Sequence, residues 1–521
     1  MRHDAVIIGA GPNGLAAANR LVDAGWSVLV LEAQPTVGGA VRSDRDVHPD
    51  YVHDTFSAFY PLAVASPGLR DLDLERHGLT WSHAPAVLGH PFTDGSWALL
   101  TRDREQTAAW FDEEAPGDGE AWLALCRAWD VMGPSVIGAL TTPFPPVRHG
   151  LGAAARLRKV GGLDFVRTLV TPVMDLGRDT FTGRRAATLL AGNAGHADLP
   201  FDAAGSGLMG LLMTMLGQTV GFPVPRGGAG ELTRAMARRF ESRGGQIRCH
   251  SEVTAIEVDR RKVTGVRTAN GERIAATAVL ADVSAPALYG ALLDHRDVPA
   301  KVHRSMQRFQ WDPATVKVDW ALSGPVPWAG QPEVAPGTVH VADSIGEMSQ
   351  ATSQVAAGVV PATPFMLAGQ MTTSDATRSP AGTESLWAYT HVPQRVRHDA
   401  GGELTGTWDA SDRERFADRM QERFERLAPG FGSRVVERRV LGPRELEERN
   451  ANLVGGAIGG GTQQIHQQLV FRPVPGLGRA ETPVRGLFLA SASAHPGGGV
   501  HGAPGLNAAR AAIARARRPL T

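Results

Sequence analysis

The sequence has few of the residues on which several common kinds of site depend. It contains only two cysteines, Cys126 and Cys249, far apart and in no Cys-X-X-Cys pattern. This excludes a disulfide framework and a dithiol redox centre of the disulfide-reductase type. No stretch of about 18 apolar residues is free of charges and helix breakers, so we expect no membrane-spanning helix.

An excess of charge of either sign is also lacking. The 53 basic and 53 acidic residues cancel, so we expect no nucleic-acid partner. No metal-ligand spacing, phosphate-binding P-loop or Ser-His-Asp order is present, and we expect no metal. Residues 4–8 already form a predicted strand, which leaves no room for a signal peptide. We expect a cytoplasmic protein, with peripheral contact to the inner membrane as the alternative.

What the sequence does contain at its start is a strand–helix–strand pattern. An apolar run at residues 4–8 is followed by helical spacing over residues 13–24 and by a second apolar run at residues 27–32. Such a pattern is typical of a buried parallel sheet. At 521 residues the chain is long enough for two domains. We predict an α/β protein with a discontinuous Rossmann-like domain and an inserted α+β substrate domain.

A glycine motif lies between the first strand and the first helix. It reads Gly9-Ala10-Gly11-Pro12-Asn13-Gly14, and Glu32 ends the second strand. Together these form the dinucleotide-binding fingerprint: glycines let the backbone approach a pyrophosphate at a helix N-terminus, and the acidic residue accepts hydrogen bonds from ribose hydroxyls. Only one such unit is present, because Gly227–Gly230 follows no buried strand. We therefore expect NADPH to be a poor direct reductant.

Two further glycine-rich segments extend this pattern. Residues 38–43 read GGAVRS and residues 486–502 read GLFLASASAHPGGGVHG. The second is a strand that leads into a glycine-rich loop at a helix N-terminus, which is a second device for binding an anion. Three consecutive glycines there predict close approach of the backbone to a ligand.

With these segments in place, the chain resembles the phytoene dehydrogenase-related FAD-dependent oxidoreductases of the carotenoid desaturase and flavin amine oxidase superfamily. It resembles more closely the branch named pyridine nucleotide-disulfide oxidoreductase domain-containing protein 2. The resemblance implies non-covalent FAD and a backbone contact from Val253 to the adenine. It makes Arg42 a candidate pyrophosphate ligand, although Ala40 stands where the family often has arginine. Ser491 stands near the position of a frequent acidic residue.

The predicted FAD-binding residues are therefore Gly9, Ala10, Gly11, Pro12, Asn13, Gly14, Glu32, Ala33, Gly38, Gly39, Arg42, Val253, Ser491, Gly498 and Gly499. We assign residues 1–75, 223–290 and 465–521 to the FAD-binding domain. Residues 76–222 and 291–464 form the predicted substrate-binding domain. The uncharged run at residues 206–222 is interpreted as a buried helix that contributes to the substrate pocket, with a membrane-dipping helix as the alternative.

Catalytic residues are not evident from the sequence. Lys317 shares one face of a predicted strand with Asp319, and it is one of four lysines. A catalytic place near the flavin is one hypothesis for it, and an ion-paired strand lysine is the other. His495 and His196 are weaker candidates, for which hydrogen-bonding or structural roles are the alternative.

The expected function is FAD-dependent dehydrogenation or desaturation of a small hydrophobic substrate. The resemblance points to isoprenoids or polyenes, with oxygen or a quinone as the electron acceptor. A carotenoid ketolase or a retinol-saturase-like enzyme is one alternative. A flavoprotein with mainly a binding or regulatory role is the other.

Overall fold

The computed structural model describes residues 2–517 and contains two seven-stranded sheets. Strands and helices are numbered here in chain order. The first sheet has the order β10-β11-β12-β1-β2-β9, with β20 paired to β12. Its strands are β1 His3–Ile8, β2 Val28–Leu31, β9 Gln246–Arg248, β10 Val253–Asp259, β11 Lys262–Thr268, β12 Arg273–Ala281 and β20 Leu487–Leu489.

The core of the first sheet is parallel, as its buried apolar strands require. Strand β1 pairs in parallel with β2 and β12, while β2 pairs with β9 and β12 with β20. Strands β10 to β12 are connected as antiparallel neighbours. Residues 5–7 of β1 are fully buried, so the strand that precedes the glycine motif is held on both faces.

The second sheet has the order β19-β13-β17-β16-β14-β6-β7 and is antiparallel except where β14 meets β6. Its strands are β6 Ala86–Pro91, β7 Trp97–Leu100, β13 Ala314–Leu322, β14 Pro336–Val341, β16 Met366–Gln370, β17 Glu384–Val392 and β19 Val435–Leu441. Three two-stranded ribbons complete the described strands: β3 Ser43–Asp44 with β4 His53–Asp54, β5 Trp81–Ser82 with β8 Val224–Pro225, and β15 Val359–Val360 with β18 His398–Asp399.

Helices pack against both sheets. They are α1 Pro12–Val22, α2 Pro61–Ala65, α3 Pro67–Arg70, α4 Arg104–Glu114, α5 Asp118–Thr141, α6 Val147–Leu157, α7 Leu163–Val170, α8 Val173–Thr180, α9 Arg184–Ala194, α10 Ser206–Thr219, α11 Gly230–Ser242, α12 Ala285–Ala287, α13 Ala300–Met306, α14 Ile345–Ala356, α15 Met371–Ser374, α16 Ala410–Leu427, α17 Phe431–Arg434, α18 Pro443–Arg449 and α19 Ala503–Ala516. Helices α1, α11 and α19 share one apolar core with the first sheet.

Two helices, α10 and α5, are apolar enough to be considered for contact with a membrane. Helix α10 is the apolar run seen in the sequence; it is buried in the core with α5 and α9, so the membrane-dipping alternative is wrong for it. Among the described residues, α5 alone is long and apolar enough to cross a membrane by length and composition. Its Trp122, Cys126 and Trp129 lie in the same core, so this part of α5 serves as a core helix.

The predicted fold class is confirmed, including the Rossmann-like sheet and the separate mixed sheet. The first sheet draws its strands from residues 3–31, 246–281 and 487–489, and the second from residues 86–100 and 314–441. The domain boundaries themselves stay a prediction. Strands β14 and β19 were not predicted. Strand β14 starts with Pro-Gly, and three of the seven residues of β19 are Glu or Arg, so neither gives an apolar run.

Candidate functional site

Four strands of the first sheet end at one edge, and each is followed closely by a glycine, an acidic residue or a serine that is a candidate for ligand binding. Gly9 follows β1, Glu32 follows β2, Asp282 follows β12, and Ser491 comes two residues after β20. The crevice beyond the carboxyl ends of parallel strands is where open α/β sheets bind their ligands. The edge therefore gathers residues that are up to 480 positions apart in the sequence.

The glycine motif folds as the tight turn that its sequence predicts. Gly9 has a φ of +97°, and a Cβ on Gly14 would lie 2.1 Å from the carbonyl oxygen of Gly9. Pro12 opens α1, where its missing amide hydrogen costs nothing. The turn thus leaves the first amides of α1 directed into the crevice.

The second glycine segment packs directly on this turn. The amide of Gly38 donates to the carbonyl of Ala10 over 2.9 Å, and a Cβ on Gly39 would lie 2.9 Å from the Cα of Gly11. The two fingerprints, which begin 29 residues apart at Gly9 and Gly38, therefore form one backbone cradle. Any side chain at Gly11 or Gly39 would fill it.

Glu32 and Asn13 supply polar side chains to this cradle. The carboxylate of Glu32 is buried and accepts from the amide of Ala10 over 2.7 Å and from that of Gln34 over 2.9 Å. Its remaining acceptor sites suit ribose hydroxyls. The side-chain oxygen of Asn13 is buried with no hydrogen-bond partner within residues 2–517. A glycine cradle at a helix N-terminus, a ribose acceptor and an orphaned polar atom together fit the adenosine and pyrophosphate of FAD.

Asp282 is a residue of this site that the sequence analysis did not single out. Its Oδ2 accepts from the amide of Gly14 over 2.9 Å, and a Cβ on Gly11 would lie 3.0 Å from the same oxygen. Burial, together with the charge of Glu32, raises the pKa of Asp282 to about 7. The signal in the sequence was an acidic residue directly after the apolar strand β12.

Arg42, Ala33 and Val253 lie around the edge of the cradle. One Nη of Arg42 donates to the carbonyl of Arg449 over 2.7 Å, and its Nε is buried with no partner among the described atoms. Burial lowers the pKa of Arg42. Val253 begins β10 and is 7% exposed, whereas Ala33 is exposed. Their predicted FAD contacts stay predictions.

The C-terminal glycine segment is braced by a second loop. Ser493 donates to the carbonyl of Gly460 over 2.9 Å, and a Cβ on Gly498 would lie 2.8 Å from the carbonyl of Gly459. Gly498 therefore makes room for this loop, while Gly499 is exposed with a φ of +108°. The side chain of Ser491 is buried and accepts from the amide of Ser493 over 3.2 Å.

Two buried charged residues, also missed from the sequence, hold that loop in place. The carboxylate of Asp312 accepts from the amides of residues 458, 459 and 461 over 2.6–2.9 Å. The guanidinium of Arg472 is fully buried. It donates to the carbonyl of Gly459 in the bracing loop and to that of Ala492 in the C-terminal segment. No short-range sequence pattern predicts this pair, because its partners lie from 10 to 149 residues away in the chain.

Comparisons with known proteins agree with this geometry. A family model described as an NAD(P)-binding Rossmann-like domain matches residues 7–72, and one described as FAD dependent oxidoreductase matches residues 220–341. The chain is 27% identical to pyridine nucleotide-disulfide oxidoreductase domain-containing protein 2 of Rattus norvegicus, covering 97% of this chain and 92% of that one. It is 25% identical to a neurosporene-forming phytoene desaturase of Rhodobacter capsulatus, covering 95% and 91%.

The chain is an FAD-dependent oxidoreductase. Its resemblance to the phytoene dehydrogenase-related proteins, inferred from the sequence, is confirmed. Among solved structures, an oxidoreductase from Methanosarcina mazei has the same fold, with a TM-score of 0.62 at 14% identity over 98% of this chain and 99% of that chain.

In this oxidoreductase, Lys317 lies in a buried network of charged side chains. Its Nζ is ion-paired with Asp319 and donates to the carbonyl of Asp54 over 3.0 Å. Arg439 donates to the other oxygen of Asp319 over 2.8 Å. Burial lowers the pKa of Lys317, while the charge of Asp319 opposes the shift. Lys317 therefore has the ion-paired strand position of the second hypothesis, and its predicted catalytic role stays untested.

The two candidate histidines of the oxidoreductase have different surroundings. Nε2 of His495 lies 3.0 Å from the carbonyl of Thr142, and its Nδ1 is buried with no partner among the described atoms. His196 lies with its Nε2 3.3 Å from that of His340, and burial lowers its pKa to about 4. Burial also lowers the pKa of His495, so burial favours the neutral form of both rings. Within residues 2–517 no group of three or more His, Cys, Asp or Glu side chains is placed to hold a metal.

A cavity of about 300 Å³ is lined by residues between positions 195 and 464 of the chain. Helix α14, strands β16 and β17 and the loop after α9 form its walls, and Thr462 joins it to the loop that braces the C-terminal glycine segment. Its lining includes Leu199, Pro200, Trp311, Ala351, Thr352, Val355, Phe365, Leu367, His391, Arg395 and Arg397. No residue of the 206–222 run lines it, so the prediction that this run forms the pocket is wrong for this cavity.

Proposed function

We propose that this oxidoreductase dehydrogenates a hydrophobic substrate of the isoprenoid or polyene class. In such a reaction a substrate carbon gives up a hydride and a neighbouring carbon loses a proton, which leaves a new double bond. Oxygen or a quinone is the proposed terminal electron acceptor. The observation that carries the proposal is the cavity, whose inner wall is apolar and which adjoins the loop next to the C-terminal glycine segment.

The chemistry of the lining favours a hydrocarbon. Leu199, Trp311, Val355, Phe365 and Leu367 provide its larger apolar surfaces. Burial of apolar surface is worth about 25 cal/mol per Å², so a long lipid gains affinity without many polar contacts. The phytoene desaturase named among the relatives is consistent with such a substrate.

The charges around the cavity argue against an amine substrate. Its lining contains one acidic residue, Asp198, whose oxygens already accept from the hydroxyl of Thr462 and the amide of Gln463 over 2.9 Å. Burial raises the pKa of Asp198 to about 6. Arg395 and Arg397 at the rim are exposed and form no ion pair within residues 2–517. A cationic substrate would therefore meet net positive charge.

The residues of the chain have distinct tasks in this reaction. The amides of α1 and the glycine cradle would bind the pyrophosphate, and Glu32 would accept from the ribose. When bound, FAD supplies the hydride acceptor. Asp312 and Arg472 fix the loop at residues 458–462, which separates the cavity from the C-terminal glycine segment. The apolar cavity wall positions the substrate and excludes water.

The test is anaerobic reduction of the flavin in the purified holoprotein. We expect loss of the visible flavin absorbance with members of a panel of polyenes and isoprenoids, and none with polyamines. Bleaching by amines alone would contradict the proposal. Lipid binding without bleaching would favour a binding or regulatory flavoprotein, and an oxygenated product would favour the ketolase alternative.

A pair of variants on α14 makes the test specific to the cavity. Thr352 lines it, whereas Gln350 is exposed on the same helix and does not. Thr352→Trp should fill part of the cavity and slow bleaching by the active lipid by about tenfold or more, since a tenfold change corresponds to only ~1.4 kcal/mol. Gln350→Trp should leave the rate and FAD content unchanged. Equal rates for both variants would show that substrate binds elsewhere.

A further inference from the structure

Helices α6 and α7 expose apolar side chains that the rest of the molecule does not cover. Helix α6 has no buried residue, and α7 buries only Phe165. Leu151 is 68% exposed and Leu163 79% exposed. Val147, Val166 and Val170 are 40–62% exposed. An exposed group of large apolar side chains in consecutive elements marks an interaction surface.

The apolar residues of each helix fall on one side. Val147 and Leu151 are one turn apart on α6. Leu163, Val166 and Val170 have the spacing i, i+3, i+7 on α7, on the side away from the buried Phe165. Each helix therefore has an amphipathic pattern whose apolar stripe faces outwards. We call residues 147–170 the α6–α7 surface.

The charge of the α6–α7 surface differs from that of the whole chain. It contains five basic residues, Arg148, Arg156, Arg158, Lys159 and Arg167, and one acidic residue, Asp164; all six are exposed. The complete chain has a formal net charge of zero. Apolar side chains among exposed cations are the pattern of helices that lie in the interface of an anionic membrane.

The α6–α7 surface is connected to the proposed substrate cavity. The loop after α9 lines the cavity through residues 197–200. Farther along the same loop, the amide of Gly205 donates to the carbonyl of Val170, the last residue of α7, over 3.2 Å. Thr462, which donates to Asp198 of this loop over 2.9 Å, and Gln464 also line the cavity, and they precede the exposed apolar residues Ile465 and Phe471. Two exposed apolar segments are thus connected through short stretches of chain to residues that line the cavity.

We propose that the α6–α7 surface docks the protein on an anionic phospholipid membrane. The apolar stripes enter the boundary between headgroups and acyl chains, and the arginines and the lysine contact the headgroup phosphates. This assigns a location to the protein and not a substrate. The proposal is tested without any substrate, so its failure would leave the proposed reaction untouched.

The experiment measures co-sedimentation of the FAD-loaded protein with vesicles. One set of vesicles is phosphatidylcholine alone, and the other contains phosphatidylglycerol as well. We expect binding to the anionic vesicles, weakened by added salt. Leu151→Glu combined with Leu163→Glu should lower the affinity by about tenfold or more. The matched control is Val436→Glu, at a residue that is 51% exposed on β19.

A second pair of variants tests the charge. Arg158→Glu with Lys159→Glu should also weaken binding to anionic vesicles, whereas Lys301→Glu with Arg304→Glu on α13 makes the same charge change elsewhere and should not. The visible absorbance of bound FAD reports that each variant is folded.

Three outcomes would overturn the proposal. The first is recovery of all wild-type protein in the supernatant with both kinds of vesicle. The second is loss of binding in the control variants as strong as in the α6–α7 variants. The third is a dimer, detected by gel filtration with light scattering, that Leu151→Glu with Leu163→Glu dissociates while no vesicle binding occurs; the surface would then be an interface between two copies of the chain.

Discussion

The carboxylate of Asp282 accepts a 2.9 Å hydrogen bond from the amide of Gly14 in the first turn of α1. Amides of this turn are the groups that a pyrophosphate would use, so a negative charge on Asp282 competes with the phosphates. Burial is the main reason that the pKa of Asp282 is raised to about 7, and a bound pyrophosphate should raise it further.

The first prediction is that FAD binding depends on pH through Asp282. Below about pH 7 the carboxyl is protonated and repels the phosphates least. As the pH rises through this value the group ionises in the apoprotein, so FAD affinity should fall by up to about tenfold for each unit of pH above it. Asp282→Asn should bind FAD tightly at all these pH values. The measurement is the dissociation constant of FAD from the apoprotein, by flavin fluorescence.

The raised pKa of Asp282 also determines how the stability of the apoprotein changes with pH. Because the folded pKa lies above the unfolded value, Asp282 costs the apoprotein stability as the pH rises from about 4 to 7, and Asp282→Asn should remove that cost. The control is Asp259→Asn, at an exposed residue that ends β10. A wild-type affinity that is flat on both sides of pH 7 would refute the role of Asp282.

The second prediction concerns the contact between the first and last helices. A Cβ on Gly505 would lie 1.9 Å from the carbonyl oxygen of Asn13. Gly505→Val should push α19 from α1, lower the free energy of unfolding by about 1–3 kcal/mol and reduce FAD occupancy. Gly150→Ala in α6 is the control, because nothing lies within 4 Å of its added Cβ; it should be neutral or stabilise by up to about 1 kcal/mol. Urea unfolding measures both.

The third prediction concerns Lys317 and separates its two hypothetical roles. Lys317→Met should lower the free energy of unfolding by about 3 kcal/mol. This is the lower end of the cost of breaking a buried ion pair, because Arg439 still forms an ion pair with Asp319 in the variant. Arg104→Met, which breaks a partly exposed pair with Asp130, should cost less than about 1 kcal/mol. Normal stability together with an altered flavin reduction potential would favour a place for Lys317 at the flavin instead.

The fourth prediction concerns the two thiols. Cys126 is 1% exposed, and burial raises its pKa to about 11; Cys249 is half-buried, with its pKa also raised by burial. Thiolates are the reactive form, so Ellman's reagent should label Cys249 slowly in the native protein and Cys126 only after unfolding. Cys249→Ser should abolish the native phase. Rapid labelling of both thiols in the folded protein would show that the core around Cys126 opens readily.

The sequence predicted the parts of the site that short segments encode. The turn at Gly9–Gly14, the ribose acceptor Glu32 and the glycine pair Gly38–Gly39 are local patterns, and the structure brings them into one cradle. Asp312 and Arg472 act through partners far away in the chain, and no local pattern reveals such contacts. The same limit applies to the cavity: residues 206–222 are apolar enough to line one, but packing places Leu212 and Met215 in the core.

The order of strands in the first sheet bears on how the protein is made. Strand β12 lies between β1, at residues 3–8, and β20, at residues 487–489. A ribosome delivers β1 long before β20, so the first sheet stays open along one edge of β12 until residues 487–489 have been synthesised. The strands of the second sheet, which end at residue 441, are delivered before β20. Stable binding of a cofactor at the edge of this sheet is therefore expected only after β20 has paired with β12.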